Sequence, residues 1–373
     1  MRELRWLLRG APPFAALSAV IVLGGASLRA SAVVAPAGCG NPQTFAAEPS
    51  PAVAGTPGFV LSPLLDGSGT LAGQRVEIRT AAGGTLRLEL PPESFAAGPF
   101  GQAILVGADD GRRSTLRAFD ATSGCAWPLA GETDVIRRAT IDLAAGNVYE
   151  FRVDRGTRAD LGVWRRPLAG GPAALVLPPL PTDDRYGPTF STELSWSAEG
   201  DVLVAQACGM SVCRTRLLDI TGGTVRTIET ADQGEVIGLA GDRLITYGAC
   251  RGLPCPIASI DTTTAEATTL VPAAAAGRTV ATAAGPRVLA EVGTDDERAL
   301  VLVDPASATS VAVPANVRGW HLVPSAARAD GALGVPTGWA LLTRDGGAPG
   351  PGDSAELVRV DNGATLDLTE VTR

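Results

Sequence analysis

The sequence predicts an all-β fold, a β-propeller of four-stranded blades, with seven blades favoured and six or eight as the neighbouring solutions. Three observations predict it. Short apolar runs alternate with turn residues along the chain, a repeat of about 42 residues can be followed through it, and helical periodicity is hard to find beyond the N-terminal segment. Gly 45 and Pro 28 in 373 residues suit a chain that turns every few residues, and 45% apolar against 19% charged residues indicates a packed core.

The repeat is clearest where Asp201 to Val225 is set against Asp242 to Glu266. Each segment reads as an apolar strand, a Cys-x4-Cys turn, a second strand and an aspartate, and Asp219 and Asp261 stand 42 residues apart, as do Cys213 and Cys255. The same strand-then-turn unit recurs at Arg79, Asp120, Arg166, Asp219, Asp261, Asp304 and Asp361, at spacings of 41, 46, 53, 42, 43 and 57. These are expected to be the turns between third and fourth strands, where an aspartate caps the N–H groups that follow it. The two longest spacings contain a Pro-rich stretch from Leu177 and the run Gly346 to Asp353. Thr365 to Val371 is read as the outer strand of the last blade. Gln43 to Gly55 must then supply the innermost strand of the first. Val148 to Val153 alternates cleanly, as does Val76 to Ile78.

The N-terminus reads as an export signal over residues 1–32. Arg2, Arg5 and Arg9 precede an apolar stretch from about Pro12 to Leu28, and Ala30-Ser31-Ala32 offers a small-residue cleavage site. The alternatives are an uncleaved anchor, for which the run is short, and a lipidated Cys39, for which Pro36 is the wrong residue. An N-terminal arm, 33–57, and the propeller, 58–373, complete the organisation. The protein is expected outside the cytoplasm, secreted or in the cell envelope, with no stable membrane span after signal removal.

Six cysteines agree with an oxidising compartment. Cys208 with Cys213 and Cys250 with Cys255 each flank a turn between two strands and are expected to staple it, which leaves Cys39 and Cys125 to each other. Zinc is the rival reading, but it favours closer cysteines with histidine support, and His321 is the only histidine. The chain contains no lysine and carries a formal charge of −8. An acidic surface without basic clusters argues against nucleic acid.

One segment carries a family resemblance. Leu194-Ser195-Trp196-Ser197-Ala198-Glu199-Gly200-Asp201 and the apolar Val202-Leu203-Val204 after it are similar to the repeat signature of TolB-like propellers, with Ala198 and Glu199 where Pro and Asp are usual. The resemblance implies the fold and leaves the ligand open. Trp196 is then expected to wedge between blades, and Trp127, Trp164, Trp320 and Trp339 to serve in packing.

No G-x-S-x-G, no sialidase-type Asp-box and no Gly-rich phosphate loop occurs, and His321 is read as a structural strand residue. No catalytic residue, metal or cofactor is assigned. The best polar constellation is a set of acidic pairs expected on one face of the ring: Asp109-Asp110 and Asp295-Asp296 at second-to-third-strand turns, and Asp183-Asp184 in the Pro-rich loop. That face could bind a protein or other ligand, a basic partner or calcium among them. The expected function is a non-catalytic binding module. The alternative is a propeller lyase or glycan hydrolase that works with carboxylates on that face or in the central channel.

Overall fold

The computed structural model describes residues 58–65, 71–79, 85–91, 94–97, 103–120, 126–142, 145–180, 189, 191–197, 201–209, 212–231, 236–247, 254–294, 297–323, 338–344 and 354–367. Among them the only regular elements are strands, ordered into seven antiparallel sheets in which each strand pairs with its neighbour in the chain. The first sheet has three strands: β1 (Gly58–Leu65), β2 (Leu71–Arg79) and β3 (Thr85–Leu90). The second holds β4 (Ser94–Ala97), β5 (Ala103–Asp109), β6 (Ser114–Asp120) and β7 (Ala126–Glu132). The third holds β8 (Val135–Asp142), β9 (Asn147–Val153), β10 (Asp160–Pro167) and β11 (Ala174–Leu177). The fourth holds β12 (Ser191–Trp196), β13 (Val202–Cys208), β14 (Val212–Asp219) and β15 (Val225–Ala231). The fifth holds β16 (Val236–Ala240), β17 (Arg243–Tyr247), β18 (Cys255–Asp261) and β19 (Ala267–Ala274). The sixth holds β20 (Ala276–Thr282), β21 (Gly285–Val292), β22 (Ala299–Val303) and β23 (Ser310–Ala312). The last holds β24 (His321–Leu322), β25 (Trp339–Thr343), β26 (Ala355–Arg359) and β27 (Thr365–Asp367).

The sheets stack through their first strands: β4 lies beside β8, β8 beside β12, β12 beside β16, β16 beside β20 and β20 beside β24. This is the blade-on-blade packing of a β-propeller. The core accordingly lies in the seams. Phe151, Val153 and Val163 pack on Leu203, Ala205 and Leu218 of the next sheet, while Val148 and Ile141 pack the other way on Leu105 and Leu116. Trp196 occupies the expected wedge position. Its ring meets Tyr149 edge-on at 5.5 Å, and its Nε1 donates to the Ile141 carbonyl at 3.2 Å. Ser197 explains the residue that follows it in the motif, because its Oγ accepts the N–H groups of Asp201 and Val202, both at 3.1 Å.

Six of the marked turns, after Asp120, Arg166, Asp219, Asp261 and Asp304 and around Asp361, join third to fourth strands. Asp219, Asp261 and Asp304 each cap their turn, as Oδ1 accepts two N–H groups at 2.8–3.0 Å. In each the fifth residue of the turn returns an N–H to the aspartate carbonyl and has positive φ: Gly223 at 66°, Ala265 at 60° and Ala308 at 56°. One expectation needs correction. In the last sheet the residue equivalent to these aspartates is Arg359, which pairs with Ala364 and Gly363 in the same pattern, so Asp361 sits two places into the turn. The alternating strand Val148–Val153 is buried on both faces: Glu150 is 0% and Arg152 4% exposed. A blade interior is covered on both sides by its neighbours, so alternation of polarity here does not mean alternation of exposure. The start of the chain through residue 57, the turn 121–125 and residues 368–373 lie outside the described residues.

Candidate functional site: the loop-rich rim and its seams

Second-to-third-strand turns and the sheet-to-sheet connections share one rim. Arg155, after β9, donates from Nε to the Thr133 carbonyl between β7 and β8 at 2.9 Å, and Thr189, before β12, donates its N–H to the Arg158 carbonyl at 3.1 Å. The opposite rim collects the first-to-second and third-to-fourth turns, where the Ile220 N–H meets the Asp201 carbonyl at 3.2 Å and the Thr262 N–H meets that of Asp242 at 3.0 Å.

Of the six acidic residues expected on the loop-rich rim, Asp109 and Asp110 are described, and Asp183, Asp184, Asp295 and Asp296 lie outside the described residues. Asp109 ends β5 and is 8% exposed. Its two oxygens take the Arg155 guanidinium bidentately, both bonds 2.7 Å, together with the Gly111 N–H at 2.7 Å and the Ser114 hydroxyl. Burial alone would raise its carboxyl, but the Arg155, Ser114 and Gly111 bonds outweigh that and hold it below the usual carboxylate range. Asp110 caps the same turn through the N–H groups of Arg112 and Arg113, at 2.8 and 2.7 Å, and is likewise held low, chiefly by those bonds. These two neighbours therefore do different work. Asp109 joins one sheet to the next, and Asp110 shapes an exposed turn.

The Asp109–Arg155 pair is one of several ion pairs within and between the sheets. Glu150, fully buried on β9, binds Arg152 Nε at 2.9 Å and Arg166 Nε at 2.5 Å, and both arginines reach Glu132 at the end of β7, at 3.2 and 2.5 Å. Arg152 also stacks over Trp164, 4.9 Å from the ring centroid. Burial works against the Arg166 charge, but the two glutamates overcome it and raise its pKa. At the next seam Asp160 meets Arg216 at 2.9 Å and accepts the Gly162 and Leu180 N–H groups at 2.6 and 3.3 Å. Burial here exceeds those contacts, and the Asp160 carboxyl is pushed up.

A positional pattern runs through the later seams. Near the rim end of their second strands, Gln206, Tyr247 and Glu291 each accept a first-strand N–H of the following sheet: Val236 at 3.1 Å, Gly277 at 2.7 Å and Leu322 at 2.5 Å. Innermost strands have one edge without a ladder partner, and these side chains satisfy it. Glu291 also meets Arg298 Nε at 2.9 Å and His321 Nδ1 at 3.3 Å, while Arg298 Nη1 lies 2.6 Å from His321 Nε2. The only histidine of the chain is thus held between a carboxylate and a guanidinium at the β20–β24 seam. Among the described residues no three His, Cys, Asp or Glu side chains converge as metal ligands.

The rim turns are braced. Cys208 and Cys213 face one another in the β13–β14 register and form a disulfide with α-carbons 4.0 Å apart. Cys255 is also disulfide-bonded; Cys39, Cys125 and Cys250 lie outside the described residues. Asp154 caps the β9–β10 turn through Gly156 and Thr157, at 3.0 and 2.7 Å. Sequence reasoning missed the seam pairs. The available signal was a charge flanked by apolar residues inside a strand, as in Tyr149-Glu150-Phe151-Arg152-Val153, Leu289-Ala290-Glu291-Val292 and Arg216-Leu217-Leu218.

No family model matches the chain, and no curated protein does. Solved structures do. An oligogalacturonate lyase in complex with manganese aligns with a TM-score of 0.51 and 12% identity over 83% of this chain and 84% of that one. A puromycin hydrolase S511A mutant aligns with a TM-score of 0.50 and 15% identity over 87% of this chain, which spans only 56% of that protein. TolB from Acinetobacter baumannii aligns with a TM-score of 0.43 and 13% identity over 83% of this chain and 79% of that one. At these identities the likeness speaks to architecture, and the first two alignments agree with the stacked sheets: the chain folds as a β-propeller.

Proposed function

We propose that this chain is an exported, non-catalytic propeller whose loop-rich rim binds a protein or other ligand. The observation that carries the reading is the pairing of the buried charges behind the rim. Asp109, Glu132, Glu150, Asp160 and Glu291 are each engaged by an arginine of the same or an adjacent blade. Carboxylates so engaged hold strands and blades together, a structural task. What the rim offers outward is a set of braced turns with exposed Asp110, Arg112, Arg113 and Thr157, a preformed surface of the kind that binds without loss of loop freedom. The Cys208–Cys213 disulfide supports an extracytoplasmic location, as does the signal-like segment 1–32, and among the described residues no helix is long and apolar enough to cross a membrane.

Seven blades are proposed on loop lengths. The β2–β3 connection matches the short third-to-fourth turns, so β1–β3 are strands two to four of the first blade, and the arm 33–57 is left to supply strand one.

The test separates binding from folding. A variant with Arg112→Glu, Arg113→Glu and Thr157→Glu should keep the wild-type melting temperature and lose partners recovered by chemical crosslinking in producing cells. A control with Thr221→Glu and Thr263→Glu on the opposite rim should retain them. Equal recovery from both variants would remove the rim as the binding surface.

A further inference from the structure

Arg278 stands apart from the other arginines inside this fold. It lies in the middle of β20, the innermost strand of its sheet, and pairs across to Leu289. A Cβ on the preceding Gly277 would meet Ile257 and Ile237 on one side of the blade, so Arg278 projects to the other. There its strand neighbours Ala276 and Val280, and Leu289 beside it, belong to an apolar cluster with Leu322, Ala340 and Leu342 of the last sheet. The guanidinium therefore emerges from an apolar wall. β20 is an innermost strand, so this wall lies toward the centre of the ring.

Arg152, Arg166, Arg216 and Arg298 each have a carboxylate within 3.2 Å. Arg278 has neither an ion pair nor a hydrogen bond among the described residues; its Nε is fully enclosed with no partner, while the side chain as a whole stays partly accessible. Burial pushes its pKa down to about 10, with no carboxylate acting in the opposite sense, so it keeps its charge at neutral pH. An enclosed charge without a counter-charge is destabilising, and a guanidinium fork matches the paired oxygens of a carboxylate or phosphate.

We propose that Arg278 is an anion-binding residue at the centre of the ring and receives the carboxylate or phosphate group of a ligand. The described innermost strands support this electrostatically: in a chain with an excess of acidic residues, β4, β8, β12, β16, β20 and β24 carry Arg137, Arg138 and Arg278 against Glu193 and the rim residue Asp142. The site is independent of the turns of the loop-rich rim and stands whether or not those turns bind a partner.

The experiment uses the full mature chain with inorganic phosphate, sodium acetate and sodium chloride at matched ionic strength. Phenylglyoxal modification is followed by mass spectrometry of the Arg278 peptide, with exposed Arg112 as internal control. Phosphate or acetate should slow modification of Arg278 at least fivefold relative to chloride and leave Arg112 unchanged. Protection by one anion alone assigns the ligand chemistry to that class. In parallel, Arg278→Met should melt at or above the wild-type temperature and lose the anion-dependent rise that wild type shows. Equal modification of Arg278 in all three salts overturns the proposal, as does an anion-dependent rise that persists in Arg278→Met. If that variant does not fold, the protection measurement on wild type decides the matter by itself.

Discussion

Glu150 should be the costliest single charge to remove from this fold. It is fully buried and sits between Arg152 and Arg166, with the partly exposed Glu132 as the second acid of the group. Two acids and two arginines balance. Glu150→Gln keeps the shape and leaves two buried guanidiniums facing one carboxylate. Breaking a buried pair from one side costs about 3–5 kcal/mol. At about 2 °C per kcal/mol for a large domain this is a drop of roughly 6–10 °C in melting temperature. The assay is guanidinium chloride unfolding of Glu150→Gln, Arg166→Gln and the double variant, with exposed Arg112→Ala as a control expected within about 0.5 kcal/mol of wild type. In the double variant the charges balance again, so its loss should fall short of the sum of the single losses by about 1–3 kcal/mol. A loss below about 1 kcal/mol for Glu150→Gln, or strict additivity, would refute the reasoning that these residues act as one seam-closing group.

Other outcomes follow from the same structure. Ala265 and Ala308 hold left-handed backbone in the aspartate-capped turns, so Ala265→Gly and Ala308→Gly should each stabilise by roughly 0.5–1 kcal/mol, while Gly223→Ala should destabilise; denaturant midpoints decide it. Cys208→Ser opens a very short loop and should cost on the order of 2 kcal/mol, whereas Cys39→Ser, if Cys39 pairs with Cys125, opens a long one and should cost roughly 4–5 kcal/mol; the opposite order would remove the proposed bridge. Asp109 has a folded pKa below its unfolded value, so its stabilisation is present above the unfolded carboxylate range and is lost as pH falls through the folded value. Asp109→Asn should therefore flatten the acid limb of the stability–pH curve, and an unchanged limb would show that the Arg155 pair contributes nothing.

The fold was legible because turns and repeats are local. Asp219, Asp261 and Asp304 announce themselves through capping chemistry that each turn carries within five residues, and Trp196-Ser197 through a wedge and cap that recur in such blades. The seams were not legible, because their chemistry is non-local. Asp109 meets Arg155, 46 residues on, and nothing near Asp109 distinguishes a seam acid from the turn cap beside it. Glu150 and Arg152 followed the alternation of a surface strand, and only the presence of blades on both sides turns that alternation into a buried charge group. Arg359 took the position expected of Asp361 because the last sheet uses an arginine where three others use aspartate, and Asn362 caps from within the turn instead, accepting the Ala364 N–H at 3.0 Å.

The central claim is that the loop-rich rim is a binding surface held in place by seam charges that do no chemistry. Its most direct test is positional photo-crosslinking in producing cells, with a photoreactive residue placed singly at Arg112 and Thr157 on that rim and at Thr221 and Thr263 on the other, all exposed turn positions. The account predicts discrete adducts of one size at Arg112 and Thr157 and none at Thr221 or Thr263. Adducts confined to Thr221 and Thr263, or spread evenly over all four positions, would contradict it.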